Sequence, residues 1–585
     1  MELPNELILF SKEFYMKSLF EENRILKLLF ILSFFLFGLF HEFTAILFLL
    51  FEFLYIGYLF HKKDIVVYDN INFMFMLFIV FTYLFVALFA IDRGMALIGF
   101  LRQLSILMFL IILMQYNKQE RNELLLLIPL LGIVMIGISV MGYFIPVMSK
   151  FFIVNQRIAG FFQYPNTFAL FLLIGFVILY KHKDVYAMND VLLLILLIGI
   201  VLTGSRTIYV LTAFMLIYVV KDDPGYIKKI LVFAGALVAM IVIVNLFNID
   251  IKVLKRLTQF SFSSSTLLGR LLYYKDGIKL IFSHPFGLGY LGYYYLEPSI
   301  QTGVYAVRYI HNDILQIALD VGIIPCIMFV SIITRSLLSD DVDEDNKIIL
   351  CLIMVHSLFD FDLQFISIFF ILLLCMDIYD GKKSKFISLD YKVLGNAFIV
   401  ICSILSLYVG SALSLQYINK TDLSIKILPF YTEAKITKLS NAKTVKEAVP
   451  VAESIEKSNT NIAMVYDIYA LNEMEHKNFD QMIEFKEQSL DLQKYNMEAY
   501  DTYVQMLYVC VDYYQGDSAS QYKYVEKIRE VPKTLKKLKK ETDGLAFKIH
   551  DKPSFKLSKK SRKIIHYVLN RKLYPSDDCK LYYPI

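Results

Sequence analysis

The stretch Asn189-Asp-Val-Leu-Leu-Leu-Ile-Leu-Leu-Ile-Gly-Ile-Val-Leu-Thr203-Gly204-Ser205-Arg206-Thr-Ile-Tyr-Val-Leu-Thr-Ala-Phe-Met-Leu-Ile-Tyr-Val-Val220 is apolar over almost its whole length. A membrane-spanning helix needs roughly 20 apolar residues, so this run is too long for one. Thr203, Gly204 and Ser205 interrupt it, and Arg206 follows. Gly and polar residues mark a chain break. The spacing therefore predicts two spans, 189–203 and 206–220, joined by a tight turn with Arg206 at its tip.

Runs of similar character recur on both sides, at 26–41, 44–60, 71–90, 96–115, 123–144, 165–180 and 228–247, and again at 312–333, 347–359, 362–379 and 392–414. Together they give about 12–13 crossings. Composition agrees. The chain has 585 residues, 57% of them hydrophobic and 19% charged, against about 45–50% and 25% in soluble domains. That excludes an ordinary soluble enzyme, a disordered chain and a collagen-like fibre. A net charge of +5 is small for this length and gives no support for nucleic-acid binding. Among six cysteines there is no CxxC pair and no zinc spacing. Cys326, Cys351, Cys375 and Cys402 lie in apolar runs and read as packing residues. Cys510 and Cys579 lie in polar sequence and could pair if that part faces an oxidising compartment. No small-residue cleavage site follows the first apolar run, so that run is expected to stay as an anchor.

Lys and Arg in short loops set the orientation. With the N-terminus inside, the inner loops hold His61-Lys62-Lys63, Lys118 with Arg121, Lys181 with Lys183, Lys221 with Lys228 and Lys229, and Lys382-Lys383 with Lys385. The opposite short loops hold only Arg93, Lys150 with Arg157, and Arg206. This places a long loop, 248–311, outside. An odd number of spans then puts the tail outside as well. The expected fold class is all-α, a polytopic membrane helical bundle with a C-terminal soluble α-helical repeat-like domain. Its parts are a cytoplasmic segment at 1–23, nine helices over 24–247, the outer loop at 248–311, late helices over 312–416 and an extracytoplasmic domain at 417–585. In that domain, helical stretches begin near Asn461, Asn478 and Met497. Their spacing of roughly 34–36 residues per pair resembles a tetratricopeptide array, although the consensus Trp and Pro are missing. The Lys-rich run 533–563 reads as a solvated face or a surface for anionic lipid or polymer.

Polar residues at the edges of spans are functional candidates. Four clusters fall on the outer side. The first is Asn155-Gln-Arg157-Ile-Ala-Gly-Phe-Phe-Gln-Tyr-Pro165-Asn166, leading into a span. The second is Gly204-Ser205-Arg206. The third runs from Ser261 through Gly269-Arg270, Lys275-Asp276 and His284-Pro-Phe-Gly-Leu-Gly289 to Arg308-Tyr-Ile-His311-Asn312-Asp313-Ile-Leu-Gln316. The fourth is His356-Ser-Leu-Phe-Asp360-Phe-Asp362. His356 and Asp360 are spaced i, i+4, which on a helix puts them on one face. That pair reads either as a helix–helix hydrogen bond or as part of a site. An imidazole at a helix mouth, such as His311, can act as a base near neutral pH. No GxxxxGK[ST], HExxH or Rossmann fingerprint is present, so nucleotide hydrolysis and zinc peptidase chemistry have no support.

The ordered set resembles the O-antigen ligase and polymerase superfamily of bacterial membrane glycosyltransferases. It comprises Arg-x-x-Gly-Phe-Phe-x-x-Pro-Asn, Gly-Ser-Arg, Gly-Arg with Pro-Phe-Gly-Leu-Gly, His-Asn-Asp-x-Leu-Gln, and a late His-Ser-Leu-Phe-Asp. The resemblance covers roughly residues 20–415. It implies inverting, metal-independent transfer of a glycan from undecaprenyl pyrophosphate at the outer membrane face, with no cofactor. The acceptor would be a glycan, a polymer or a protein. The family's His falls on His311 and its arginines on Arg206 and Arg270, with Arg157 a third. Asn312, Asp313, His356 and Asp360 would support them, and the tail would meet a protein partner or the acceptor. Three rivals have less support. A C-type glycosyltransferase carries paired carboxylates in a long first outer loop, and here that loop is about His41-Glu42-Phe43. A flippase or transporter would show internal repeats and mid-membrane charges. An adaptor would not need a dozen spans.

Overall fold

The computed structural model describes residues 23–186, 188–246 and 265–569. The segment 1–22, Ser261 to Ser264 of the third cluster, and Cys579 lie outside the described residues. The chain is an all-α membrane helical protein. Among the described residues strands occur only as two short antiparallel pairs.

The hairpin forms as the spacing predicts. Asn189–Thr203 ends at Gly204, whose φ of 64° is the left-handed conformation that glycine adopts without penalty. Arg206–Asp222 starts two residues later. Among the described residues four helices are long and apolar enough to cross a membrane: Glu42–Phe60, Arg93–Leu113, the nearly continuous Lys118–Met141, and Leu389–Tyr417. Five shorter apolar helices accompany them: Ile71–Val86, Pro165–Lys181, Asn189–Thr203, Ile323–Leu338 and Ile366–Cys375. Every residue of Ile366–Cys375 is buried, so this ten-residue helix is wrapped by protein rather than lipid. Cys326 and Cys375 are buried in this core, whereas Cys351 is exposed on its helix.

Two expected spans are corrected. The run 312–333 is not one helix but two, Asp313–Val321 and Ile323–Leu338, broken at Gly322. The run 362–379 is a short turn, Asp362–Gln364, followed by the 366–375 helix. The reason for the first break is a backbone latch. The Pro-Phe-Gly-Leu-Gly segment lies against the end of the 313–321 helix and satisfies its open carbonyls. Leu288 N–H donates to Leu319 O at 2.8 Å, Gly289 N–H to Asp320 O at 2.9 Å, and Ile323 N–H to Pro285 O at 3.0 Å. Ile91 N–H donates to Leu288 O at 3.0 Å, tying the same segment to the start of the 93–113 helix. A Cβ on Gly322 (φ 94°) would lie 2.5 Å from Pro285 O, and one on Gly287 would lie 2.5 Å from Asp320 O.

The two ends of the bundle stay separate. At one end, Ile65–Asp69 pairs with Lys382–Ile387. Lys118 meets Asp343 at 2.8 Å, Lys229 meets Asp190 at 2.7 Å, and Lys27 meets Glu123 at 2.7 Å. All four polar clusters meet at the other end. The polar tail docks there too: Asn459 Nδ2 donates to Asp92 Oδ2 at 3.3 Å, and Arg308 meets Glu433 at 3.3 Å. Within the tail, Ala463–Glu475 packs on Phe479–Leu492, and Met497–Tyr513 on Ser518–Glu541. These helices share a core that buries Cys510.

Substituting Gly322→Ala forces a left-handed backbone and a clash with Pro285 O. The expected loss is about 1–3 kcal/mol or more, read as a lower melting temperature in lipid nanodiscs. An unchanged melt would remove the latch as the reason for the break.

Candidate active site

The site is built around one carboxylate. The helix Glu344–Ser357 ends before Asp360, which sits in the connection to the Asp362–Gln364 turn. The i, i+4 reading of His356 with Asp360 is thereby corrected: the helix stops too soon for it. His356 Nδ1 instead meets Asp362 Oδ2 at 2.5 Å, with both side chains fully buried. Thr167 Oγ1 donates to Asp362 Oδ1 at 2.7 Å. This pair anchors the turn.

Asp360 is 2% exposed and accepts from five donors. His311 Nδ1 lies 3.1 Å from Oδ1, and Tyr164 OH donates to the same oxygen at 2.8 Å. Asn166 Nδ2 donates to Oδ2 at 2.7 Å, and Arg270 Nη2 to Oδ2 at 3.4 Å. Phe361 N–H donates to Oδ1 at 3.1 Å. Burial alone would raise the Asp360 carboxyl. The His311 hydrogen bond and the charges of His311, Arg270 and His356 outweigh it and hold the carboxyl far below the usual carboxylate range.

His311 is held from several sides. Its φ of 52° is left-handed, a conformation in which His is enriched among non-Gly residues. Tyr274 OH donates to the His311 carbonyl. Asn312 caps the following helix, accepting from Leu315 N–H at 3.0 Å, and its Nδ2 donates to Leu358 O at 3.1 Å. Asp313 Oδ2 accepts from Leu363 N–H at 2.9 Å, which fixes the Asp362–Gln364 turn against the same helix. The imidazole stands edge-on to Phe361, with centroids 4.8 Å apart. Its side chain is 21% exposed, so the edge not facing Asp360 can reach a ligand.

The arginines differ in how far they are already engaged. Arg270 lies on Ser265–Ser283 and is ion-paired to Asp360. Arg157 Nη2 donates to Asn166 Oδ1 at 2.6 Å and its Nε to Thr203 O at 2.5 Å. It therefore joins the first cluster to the Gly-Ser turn and, through Asn166, to Asp360. Arg206 is half-buried at the start of its helix and has no hydrogen-bond or ion-pair partner among the described residues. Asn312 and Asp313 bond the backbone at Leu358 and Leu363, and His356 is paired with Asp362 rather than with Asp360.

Sequence reasoning missed a second network. Arg102 is fully buried in the 93–113 helix. It donates to Tyr290 OH at 2.9 Å and to Tyr309 OH and Gln364 Oε1 at 3.4 Å each. Tyr290 OH donates to Glu42 at 2.7 Å, and Arg308 meets Glu42 at 2.8 Å. The signal was available, because a cation inside an apolar run must have partners. Tyr164 and Thr167 carried no such signal. Among the described residues no group of three or more His, Cys, Asp or Glu side chains is arranged to hold a metal ion.

The two histidines should separate experimentally. His356→Ala breaks a fully buried pair, with an expected loss of about 3–5 kcal/mol, while His311→Ala, which leaves Asp360 four other donors, lowers the melting temperature less. Equal melts for both variants would contradict this division of roles. Glu297, buried on Gly292–Ile300, gives a pH signature: burial pushes its carboxyl up to about 7. Between the unfolded value and about 7 the folded state binds the extra proton, so stability falls as pH rises through that window. Glu297→Gln should flatten that slope in melts recorded from pH 5 to 8, and an unaltered slope would acquit Glu297.

No curated protein and no solved structure shows significant similarity to this chain. The family model described as O-antigen ligase matches residues 191–330, the stretch that holds Arg206, Arg270, His311, Asn312 and Asp313.

Proposed function

We propose that the chain is a glycosyltransferase of the O-antigen ligase or polymerase type, acting at the outer membrane face in cell-surface polysaccharide assembly. It would move a glycan from undecaprenyl pyrophosphate to an acceptor hydroxyl without a metal ion. The observation that carries this reading is the His311–Asp360 pair beside Arg270, in a chain whose 191–330 stretch matches the ligase family.

The chemistry follows from the donors and acceptors. An ionised carboxylate only accepts, so His311 Nδ1 carries the proton shared with Asp360. In that tautomer Nε2 is the acceptor and takes the proton of the incoming hydroxyl. The Asp360 charge stabilises the imidazolium that forms and holds the ring in place, as in other His–carboxylate pairs. The hydroxyl oxygen bonds to the anomeric carbon as the bond from that carbon to the phosphate oxygen breaks. A single displacement of this kind inverts the anomeric centre. The leaving undecaprenyl pyrophosphate carries spread negative charge, which guanidinium groups bind bidentately. Arg206, with no protein partner among the described residues, is the first choice for that task. Arg270 and Arg157 stand behind it, already oriented by Asp360 and Asn166. The Lys-poor loops at this end of the bundle support its outer placement. The helical pairs of the tail support a tetratricopeptide-like domain on the same side, able to meet the acceptor or a partner protein.

The test uses protein in nanodiscs with lipid-linked glycan from the host and an acceptor-containing envelope fraction. Wild type should release undecaprenyl pyrophosphate. His311→Ala should abolish release, and Asp360→Asn should lower it by about 10²–10⁴-fold. A single product size would identify a ligase, and a ladder a polymerase. Turnover that survives His311→Ala would rule out His311 as the base.

A further inference from the structure

Among the described residues the tail meets the helix that carries Arg270 and the stretch that leads to His311. The first contact is the turn following Ser518–Glu541. The Asp543 carboxylate pairs with the Lys275 ammonium, and Asp543 N–H donates to Thr302 O at 2.8 Å. Ala546 and Ile549 pack on Leu272 in a small separate cluster, with Leu268, Tyr305 and Leu545 around it. Leu268, Leu272 and Lys275 belong to the same helix as Arg270. Asp276 on that helix accepts from Thr302 N–H, Thr302 Oγ1 and Tyr305 OH, each at 2.9 Å. The second contact is Glu433, which accepts from Tyr295 OH at 2.8 Å and pairs with Arg308, three residues before His311.

The helix carrying Arg270 is therefore gripped between Asp360 on one side and the 543–549 turn on the other. We infer that the tail is a clamp that sets the position of Arg270 and of the His311 loop, so that the active site is complete only when the tail is docked. This rests on the transferase reading above and adds a positioning role for Ala546, Gly303 and Asp543. None of these touches the substrate or the reacting atoms.

Gly303 provides a clean lever. A Cβ there would lie 2.5 Å from Ala546 Cβ and 2.8 Å from the end of the Leu272 side chain. Of the two neighbours, the leucine end can turn away and the alanine methyl cannot. Gly303→Ala should push the tail off the helix while leaving every site residue in the chain.

The experiment uses full-length protein in nanodiscs. Gly303→Ala should lower kcat about tenfold or more, because small displacements of an oriented charge are expensive, with little change in KM for the lipid-linked donor. Adding Ala546→Gly should restore kcat. A loss that the second substitution does not restore, or no loss, would overturn the clamp. A disulfide between Lys275→Cys and Asp543→Cys should keep full turnover, and turnover that stops until the link is reduced would show that the undocked form is the active one. Amide exchange over 265–283 is read in parallel. It should rise in Gly303→Ala and return in the double variant whether or not the wild type turns over donor, so an inactive wild type defeats the transferase reading alone. Unchanged exchange defeats the clamp.

Discussion

A buried carboxylate must be satisfied, and Asp360 is satisfied by parts of the chain that are far apart in sequence. Its two oxygens accept from Tyr164 and Asn166 at the start of one helix, from Arg270 on a second, from His311 at the mouth of a third, and from the backbone beside it. Hydrogen bonds to a charged group contribute roughly 1.5–3 kcal/mol each. These donors come from separate elements, so the charge they share ties those elements together. The carboxylate is thus both the point where the four polar clusters assemble and the partner of His311 Nδ1.

Asp362, two residues on, shows the contrasting use of the same chemistry. Its partners His356 and Thr167 are fully buried, and the pair lies at the start of the Asp362–Gln364 turn. Two His–Asp pairs therefore stand close together, and exposure separates them: the imidazole of one is 21% open, that of the other 1%. The left-handed backbone at His311 and the break at Gly322 bracket the short 313–321 helix. That helix carries Asp313 to the Asp362–Gln364 turn, and its cap Asn312 reaches Leu358 O.

The helical membrane class was legible because apolar runs of span length need no knowledge of neighbours. The 189–220 hairpin was legible because Gly204 and Ser205 break it locally. The break at Gly322 was not, because its cause is a segment thirty-odd residues earlier whose amide groups complete the helix end. The outer residues of the site were visible as polar clusters at span edges, but their pairing was not. Spacing linked His356 to Asp360, whereas the helix stops at Ser357 and each residue finds its partner elsewhere. Arg102 was overlooked inside an apolar run, although its charge made distant partners obligatory.

The strand pair Ile65–Asp69 with Lys382–Ile387 has a consequence for biogenesis. The first strand leaves the ribosome early, and its mate follows only when most of the membrane part has been made. Until then its open edge has no backbone partner from the pair, and the last long helix, 392–417, has yet to pack along 42–60. The bundle therefore has its first strand and the 42–60 helix covered by elements that are made last in its membrane part. A chain stopped before residue 382 would retain its hydrophobic helices and most of its site residues yet present an unpaired strand and an uncovered apolar groove. These are marks by which membrane quality control can tell an unfinished molecule from a finished one.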